Sequence, residues 1–311
     1  MSAVRVAIHG DGQLGRAVAA LLRERDGVTV DGPVARPERG ALLRSGADLV
    51  VIATTTLLAD VAADIEAAVT AGSNVIVSAE ESSFPWAVDR ELARRLDALA
   101  RERGVTILGG GVNPGFLFDA FVLTLLGTTA EPVTLTVRRT VDLSRFGTVV
   151  LGRLGIGFPA DEFAAGVANG SILGHAGFPQ SMEIVAHALG LAVDRIDKRI
   201  EPLLTPHPVP LDQRPVAAGH SAGVHQIYTA IVAGRPWYTA HFTGHVDMAG
   251  AGLSARDEIS VHGEHTDMTC TIQPGIGAQR GSAAMVANSV RRVLAAGPGW
   301  VTVADLPPAH P

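Results

Sequence analysis

Cysteine is nearly absent. Cys270 is the single one in 311 residues, which excludes an internal disulfide and a multi-cysteine metal site. Long hydrophobic runs are missing too: although 47% of the residues are hydrophobic, no stretch approaches the ~18 apolar residues that a membrane-spanning helix needs. Basic charge is not in excess, with 25 Lys and Arg against 31 Asp and Glu, so there is no electrostatic footprint for nucleic acid. The first residues run straight into a strand pattern, without the charged segment, apolar stretch and cleavage site of a secretory leader. The 18 prolines and 35 glycines are scattered, leaving no low-complexity linker, and no internal repeat is evident. Ser221 has His220 and His225 nearby, but no GxSxG elbow frames it, so a serine hydrolase lacks its motif. These absences lead to the expectation of a soluble, cytoplasmic protein with no nucleic-acid or membrane partner. Its length suits one large or two medium domains.

What is present in the first third is alternation of strands and helices. Val4 to His9 is a short apolar strand, followed by Gly10-Asp11-Gly12-Gln13-Leu14-Gly15. The helix after it places Leu14, Val18, Leu21 and Leu22 on one apolar face. Strand, GxGxxG and helix in that order form the dinucleotide-binding fingerprint, in which the glycines allow close backbone approach and the helix N-terminus attracts a pyrophosphate. Gly10, Gly12, Gln13, Leu14 and Gly15 are therefore candidate cofactor contacts; the alternative is a structural glycine turn. The second strand, Val28 to Val34, leads into Ala35-Arg36-Pro37-Glu38-Arg39. An Asp or Glu commonly meets the adenosine ribose of NAD near this point, whereas arginine pairs with a 2′-phosphate by charge and by its planar fork of donors. Arg36 and Arg39 thus favour NADP(H), with NAD(H) kept open by Glu38. A third strand, Ala47 to Ala53, closes in Thr54-Thr55-Thr56, where Thr54 and Thr55 touch the cofactor or cap the next helix.

The fourth strand ends in the stretch Asn74 to Trp86, NVIVSAEESSFPW. An apolar run stops abruptly at two carboxylates, Glu80 and Glu81, beside Phe84, Pro85 and Trp86. Ligands bind just beyond the carboxyl ends of strands in open α/β sheets, so these carboxylates are candidates for chemistry. The structural alternative is a capped helix start and a solvated glutamate. A fifth strand, Val105 to Leu108, runs into Gly109-Gly110-Gly111-Val112-Asn113-Pro114-Gly115-Phe116, where consecutive glycines indicate backbone close to a ligand.

The middle changes period. Val133, Leu135 and Val137, then Tyr238, Ala240, Phe242 and Val246, then Met268, Cys270 and Ile272 alternate with polar residues, as in an antiparallel sheet with one buried side. A helix is expected from Phe178 to Leu191, after the glycine-rich Gly174-His175-Ala176-Gly177. Past Gly281 the helical period returns with Val286, Val290, Val293 and Leu294, before a short strand from Trp300 to Val303. The fold class is α/β: an N-terminal Rossmann dinucleotide-binding domain over residues 1–118, completed by 278–311, and an α+β substrate domain with a mainly antiparallel sheet over 119–277. No metal site is expected, because His241 and His245, four apart on a strand, are roughly 13 Å from one another.

The blocks GDGQLG, NVIVSAEESSFPW, GGGVNPGFLFD, GHAGFPQSMEIVAHALGL and AAMVANSVRRVLAAGPGWVTVADLP resemble, in order and spacing, the 2,4-diaminopentanoate dehydrogenase family and its relatives, the native NAD(P)-dependent amine dehydrogenases. That family is similar in fold to dihydrodipicolinate reductase, whose own histidine pair and K-x-x-P-S-G-T signature are missing here. The resemblance implies oxidative deamination of a primary amine to a ketone or aldehyde plus ammonia, or the reverse reductive amination. It also implies a catalytic glutamate within the AEE block. Glu81 is favoured over Glu80, as it stands one residue nearer the aromatics. The chemistry independently asks for a carboxylate that holds the ammonium and takes its proton before hydride leaves. Asn113 and Pro114 join the cofactor candidates; Phe84, Trp86, Phe116, Phe146 and His175 are the candidates for the substrate pocket. A second amine on the substrate would want an acidic partner among Asp119, Asp142 and Glu183. The alternatives are a carbonyl or imine reductase that uses no ammonia and a non-catalytic redox sensor. An exposed face on the middle sheet suits a homodimer.

Overall fold

The computed structural model describes residues 3–35, 38–212 and 215–311. Arg36, one of the two arginines expected at the adenosine ribose, lies outside them. In chain order the elements are β1 (Val4–His9), α1 (Gln13–Arg23), β2 (Val28–Val34), α2 (Arg39–Leu43), β3 (Leu49–Ile52), α3 (Leu58–Thr70), β4 (Asn74–Val77), α4 (Arg90–Arg103), β5 (Thr106–Gly109) and α5 (Ala120–Leu126). They continue as β6 (Thr134–Asp142), α6 (Thr148–Arg153), α7 (Ala160–Asn169), α8 (Phe178–Ala188), β7 (Arg195–Leu204), β8 (Ser221–Val232) and β9 (Arg235–His245). The chain closes with β10 (Arg256–His262), β11 (Asp267–Ile272), α9 (Ala278–Leu294) and β12 (Gly299–Val301).

Two compact units emerge from these elements. The first comprises the residues up to Leu125 together with Gly177–Gly190 and Gly277–Pro311. Its sheet is parallel throughout, in the order β12-β5-β4-β3-β1-β2. The inner strands β3, β4 and β5 are buried on both faces, which explains their unbroken apolar runs, whereas the edge strand β2 is partly exposed. On one face Val6, Ile8, Leu49, Val51, Ile76 and Leu108 meet α1 and α9. On the other, Ala7, Val50, Ile52, Val75, Val77 and Ile107 meet α3 and α4. Strand order reverses between β1 and β3, so their carboxyl ends open the crevice where ligands of this architecture bind. Asp89 caps α4 by accepting from the Glu91 and Leu92 N–H groups at 3.1 and 3.0 Å, and Gly104 ends it in the left-handed conformation.

The second unit comprises Leu126–Ala176 and Leu191–Ile276. Its six-stranded sheet has the order β11-β10-β6-β9-β8-β7 and is antiparallel except where β6 pairs with β9. One face is buried, by Leu135 and Val137, Tyr228 and Ala230, Tyr238 and Ala240, and Ile259 and Val261. The other carries half-exposed His225, Ile227 and Thr229 beside Thr239, His241 and Thr243. Cys270 is half-buried on the edge strand β11.

The unit boundaries differ from a single insert over residues 119–277, since α8 packs with the first unit. Phe178 meets Phe118 edge-on, with centroids 4.8 Å apart, and Ile184 joins the core between β-sheet and α9. Helical period alone carries no information about which core a helix buries its face in.

Candidate active site

The site grows from the crevice between β1 and β3. Gly10 has φ +123°, and a Cβ there would run into the Ala53 carbonyl; a Cβ on Gly15 would strike the Gly10 carbonyl. Both positions therefore require glycine. Gly12, by contrast, has nothing within 4 Å of where its Cβ would stand, which leaves open space over the loop. It is also the N-cap of α1 without any side-chain cap, so the first-turn N–H groups remain available to an anion. Gln13 and Leu14 open that turn. At the end of β3, Thr55 Oγ1 donates to Asp60 Oδ2 at 3.0 Å, while the buried Thr54 Oγ1 has no partner among the described residues. A closed cradle with one open glycine, uncapped helix donors and an orphaned hydroxyl fits a dinucleotide.

The two glutamates diverge. Glu80–Ser83 form a 3-10 turn directly after β4, fixed by the Ser83 Oγ bond to the Glu80 carbonyl at 2.8 Å and by Trp300 Nε1 donating to the Ser82 carbonyl at 3.1 Å. Glu81 Oε2 accepts the Leu58 N–H at 2.8 Å, at the first residue of α3, and so caps that helix. Glu80 Oε2 accepts the N–H of Gly177, the N-cap of α8, also at 2.8 Å. A Cβ on Gly177 would collide with the Pro114 ring, so α8 starts hard against the glycine-rich loop. Glu80 thereby stands next to that loop.

The loop itself is tightly folded. The Gly111 N–H donates to the Pro114 carbonyl at 2.7 Å, the Asn113–Pro114 bond is cis, and Gly115 has φ +124° with its Cα against Gly111. Asp119 ties it down. Fully buried, it accepts from the Gly115 N–H at 2.8 Å, the Ala120 N–H at 2.7 Å and the Ser181 hydroxyl at 2.7 Å. Burial pushes its carboxyl above the usual range, against these donors and the charge of Arg292. Its lone pairs are thus committed within the protein. Glu183 is raised by burial as well, opposed by Arg90 and His187, and Asp142 accepts the Ser144 N–H at 2.8 Å.

The expected aromatic residues separate into different settings. Phe84 is 8% exposed in the core and lies edge-on to Trp86, which packs in turn on Trp300. Phe116 stacks on Phe121 at 5.5 Å. In the second unit, Phe146 is half-buried, and His175 is clamped by Gln226, whose side chain accepts from its N–H at 2.8 Å and donates to its carbonyl at 2.9 Å. Arg39 is half-exposed and pairs with Asp64 at 2.8 Å. The partners Asp64, His9, Gly177 and Ser181 escaped the sequence reading. The one available signal was a polar residue on an otherwise apolar pattern, His9 in β1 and Asp64 between Val61 and Ile65. Among the described residues no group of three or more His, Cys, Asp or Glu side chains forms a metal cage.

An open parallel sheet with a glycine cradle at its switch point is the frame of a dinucleotide-binding protein. Residues 116–311 match the family described as the 2,4-diaminopentanoate dehydrogenase C-terminal domain. The chain belongs to the 2,4-diaminopentanoate dehydrogenase family, and with it to the oxidoreductases acting on CH–NH2 groups. A curated 2,4-diaminopentanoate dehydrogenase of Acetoanaerobium sticklandii is 29% identical, across 99% of this chain and 94% of its own length. The amine dehydrogenase from Mycobacterium smegmatis superposes with a TM-score of 0.88 at 22% identity, over 99% of this chain and 97% of that one. The biliverdin reductase from Synechocystis, solved with biliverdin and NADP+, gives 0.54 at 16% identity, over 94% and 89%. At these identities the two solved structures speak for the fold.

Proposed function

We propose that this protein is an amine dehydrogenase that oxidises a primary amine to a ketone or aldehyde and ammonia, and runs the reverse reductive amination, with NADP(H) preferred over NAD(H). The observation that carries this reading is the Glu80 carboxylate, held at the N-cap of α8 beside the Asn113–Pro114 loop, at the carboxyl edge of β4. Gly10, Gly12, Gln13, Leu14 and Gly15 would hold the pyrophosphate, Thr54, Thr55, Asn113 and Pro114 the rest of the dinucleotide, and Arg36 and Arg39 its adenosine end. When bound, the nicotinamide supplies a hydride acceptor or donor.

Glu80 does the proton work. Its carboxylate, oriented by the Gly177 N–H, holds the substrate ammonium and takes one proton, freeing the lone pair that drives hydride loss from the amine carbon. Water then adds to the iminium and loses one proton to solvent; the protonated glutamate returns its proton to the carbinolamine nitrogen, and takes the hydroxyl proton as ammonia departs and the carbonyl forms. Glu81, committed to capping α3, supports the turn from which Glu80 projects. Phe116 in the first unit is retained as a candidate for substrate recognition, with Phe84 and Trp86 as core packing near Glu80; Phe146 and His175 remain separate candidates in the second unit. The half-exposed sheet face around Ile227 and His241 suits a homodimer of a cytoplasmic enzyme. Among the described residues no helix is long and apolar enough to cross a membrane.

The test is a panel of short aliphatic and cyclic amines with purified protein and either cofactor, together with ketone reduction with and without ammonia. Amine-dependent NADP+ reduction and ammonia-dependent ketone consumption are expected. Ammonia-independent reduction would identify a carbonyl or imine reductase instead, and cofactor binding without turnover a redox sensor.

A further inference from the structure

His9, Asp64 and Arg39 form a chain that the reaction does not use. His9 ends β1 immediately before Gly10 and is fully buried. Its Nε2 lies 3.2 Å from Asp64 Oδ2, and its Nδ1 3.4 Å from the Val34 carbonyl at the end of β2. The same Val34 carbonyl accepts the Gly10 N–H at 2.9 Å, so the end of β2 and the start of the glycine loop share one corner. Asp64 sits on the apolar face of α3 and is 5% exposed. A carboxylate so far out of water needs donors or a cation to match it. Arg39, the first residue of α2, provides the cation: its Nε is 2.8 Å from Asp64 Oδ1 while its side chain stays 41% exposed.

Two consequences follow for an approaching anion. The exposed member of the pair is the cation, so a phosphate arriving from solvent meets Arg39 before Asp64. Asp64 approaches the guanidinium on its Nε side, and a guanidinium held in a fixed plane loses less freedom when its fork of donors closes on a phosphate. The position, directly after β2, is where dinucleotide folds read the adenosine ribose.

We propose that Asp64 is a positioning residue that presents the Arg39 guanidinium to the 2′-phosphate of NADP(H). Cofactor choice is then set from the middle of α3 as well as from the loop after β2. This rests on the NADP(H) preference proposed above.

Calorimetric titration of the full chain with 2′,5′-ADP and with 5′-AMP reads the effect without turnover. The wild-type protein is expected to bind 2′,5′-ADP the more tightly. Asp64→Asn is expected to weaken 2′,5′-ADP about tenfold while changing 5′-AMP by less than about twofold. Arg39→Ala is expected to remove the selectivity, and Asp64→Asn combined with Arg39→Ala to lose no more than Arg39→Ala alone. Intact selectivity in Asp64→Asn, equal weakening of both ligands, or additive losses overturns the proposal. Should Asp64→Asn not fold, Arg39→Lys carries the test from the half-exposed side. It keeps a cation for Asp64 but removes the fork, so an unchanged 2′,5′-ADP affinity is then the overturning result. A wild-type protein that does not distinguish the two ligands refutes the NADP(H) reading itself, and the role of Asp64 with it. Selectivity in wild type that survives Asp64→Asn refutes the role of Asp64 alone.

Discussion

Replacing each of two adjacent glutamates by glutamine separates chemistry from capping. Glu81 bonds the first N–H of the 13-residue helix α3. Glutamine in its place still accepts a hydrogen bond but forfeits the charge near the helix N-terminus, a loss of about 0.3–1 kcal/mol, with up to about 1 kcal/mol more if the bond weakens. At about 2–4 °C per kcal/mol for a chain of this size, that lowers the melting temperature by about 1–8 °C, and turnover stays within about threefold of wild type. Glu80→Gln removes the only proton acceptor in the proposed reaction while keeping a carbonyl oxygen for the Gly177 N–H. Loss of a positioned general base costs about 10²–10⁴ in kcat, with a melting-temperature loss of the same size as in Glu81→Gln, because this carboxylate also faces a helix N-terminus. Amine-dependent NADP+ reduction, paired with thermal melts of both variants, decides the matter. A reversed pattern, with Glu81→Gln inactive and Glu80→Gln turning over normally, would refute the assignment. Wild-type turnover in both variants would remove carboxylate catalysis altogether.

Further outcomes are expected elsewhere in the chain. Asp119→Ala strands the Gly115 and Ala120 N–H groups and the Ser181 hydroxyl in a buried site, and is expected to cost at least about 3 kcal/mol in denaturant unfolding. Asp119→Asn, which retains an acceptor, loses less. Gly177→Ala drives a methyl group into Pro114, and about 1–3 kcal/mol of overpacking is expected along with reduced turnover, read by denaturant melts and initial rates. His241, whose Nδ1 is 3.5 Å from His225 Nε2, is held down from 6.5 to about 4, chiefly by burial and also by the charges of Arg138, His225 and Arg199. A base with a depressed native pKa is protonated more readily when unfolded, so its contribution is complete above pH 6.5 and is lost as pH falls from there towards about 4. Thermal melts across that window are expected to fall less steeply for His241→Gln; an unchanged slope counts against the role of His241.

The parallel sheet was legible because its inner strands are buried on both faces and therefore written as plain apolar runs, each followed by a helix with a 3.6-residue period. The glycine cradle was legible for a similar reason, as Gly10 and Gly15 each stand where a Cβ meets backbone. In the second sheet, β6, β9 and β11 showed clean alternation, but β7, β8 and β10 did not announce themselves. Polar residues such as Gln226 and Asp257 occupy their buried face, each matched by partners distant in sequence. The same limit applies at the site. Glu80 and Glu81 are neighbours in sequence, and only the turn of the backbone sends one towards α3 and the other towards α8. Proximity of Glu81 to the aromatic residues does not separate the two, because Phe84 is core and Trp86 packs against it. The placement of α8 was hidden too, since its period was plain but the Ser181–Asp119 bond that fixes it was not.

The first unit is assembled from three separate lengths of chain, and one edge of its sheet, β12, comes from Gly299–Val301. During synthesis the glycine loop and the first five strands leave the ribosome long before α9, the helix that covers α1, has been made. Until then one apolar face of the sheet and the edge of β5 stay open, the exposure that invites mispairing of nascent chains. The stability of this unit is accordingly shared among three lengths of chain, and removing residues 278–311 would strip its sheet of a covering helix and an edge strand.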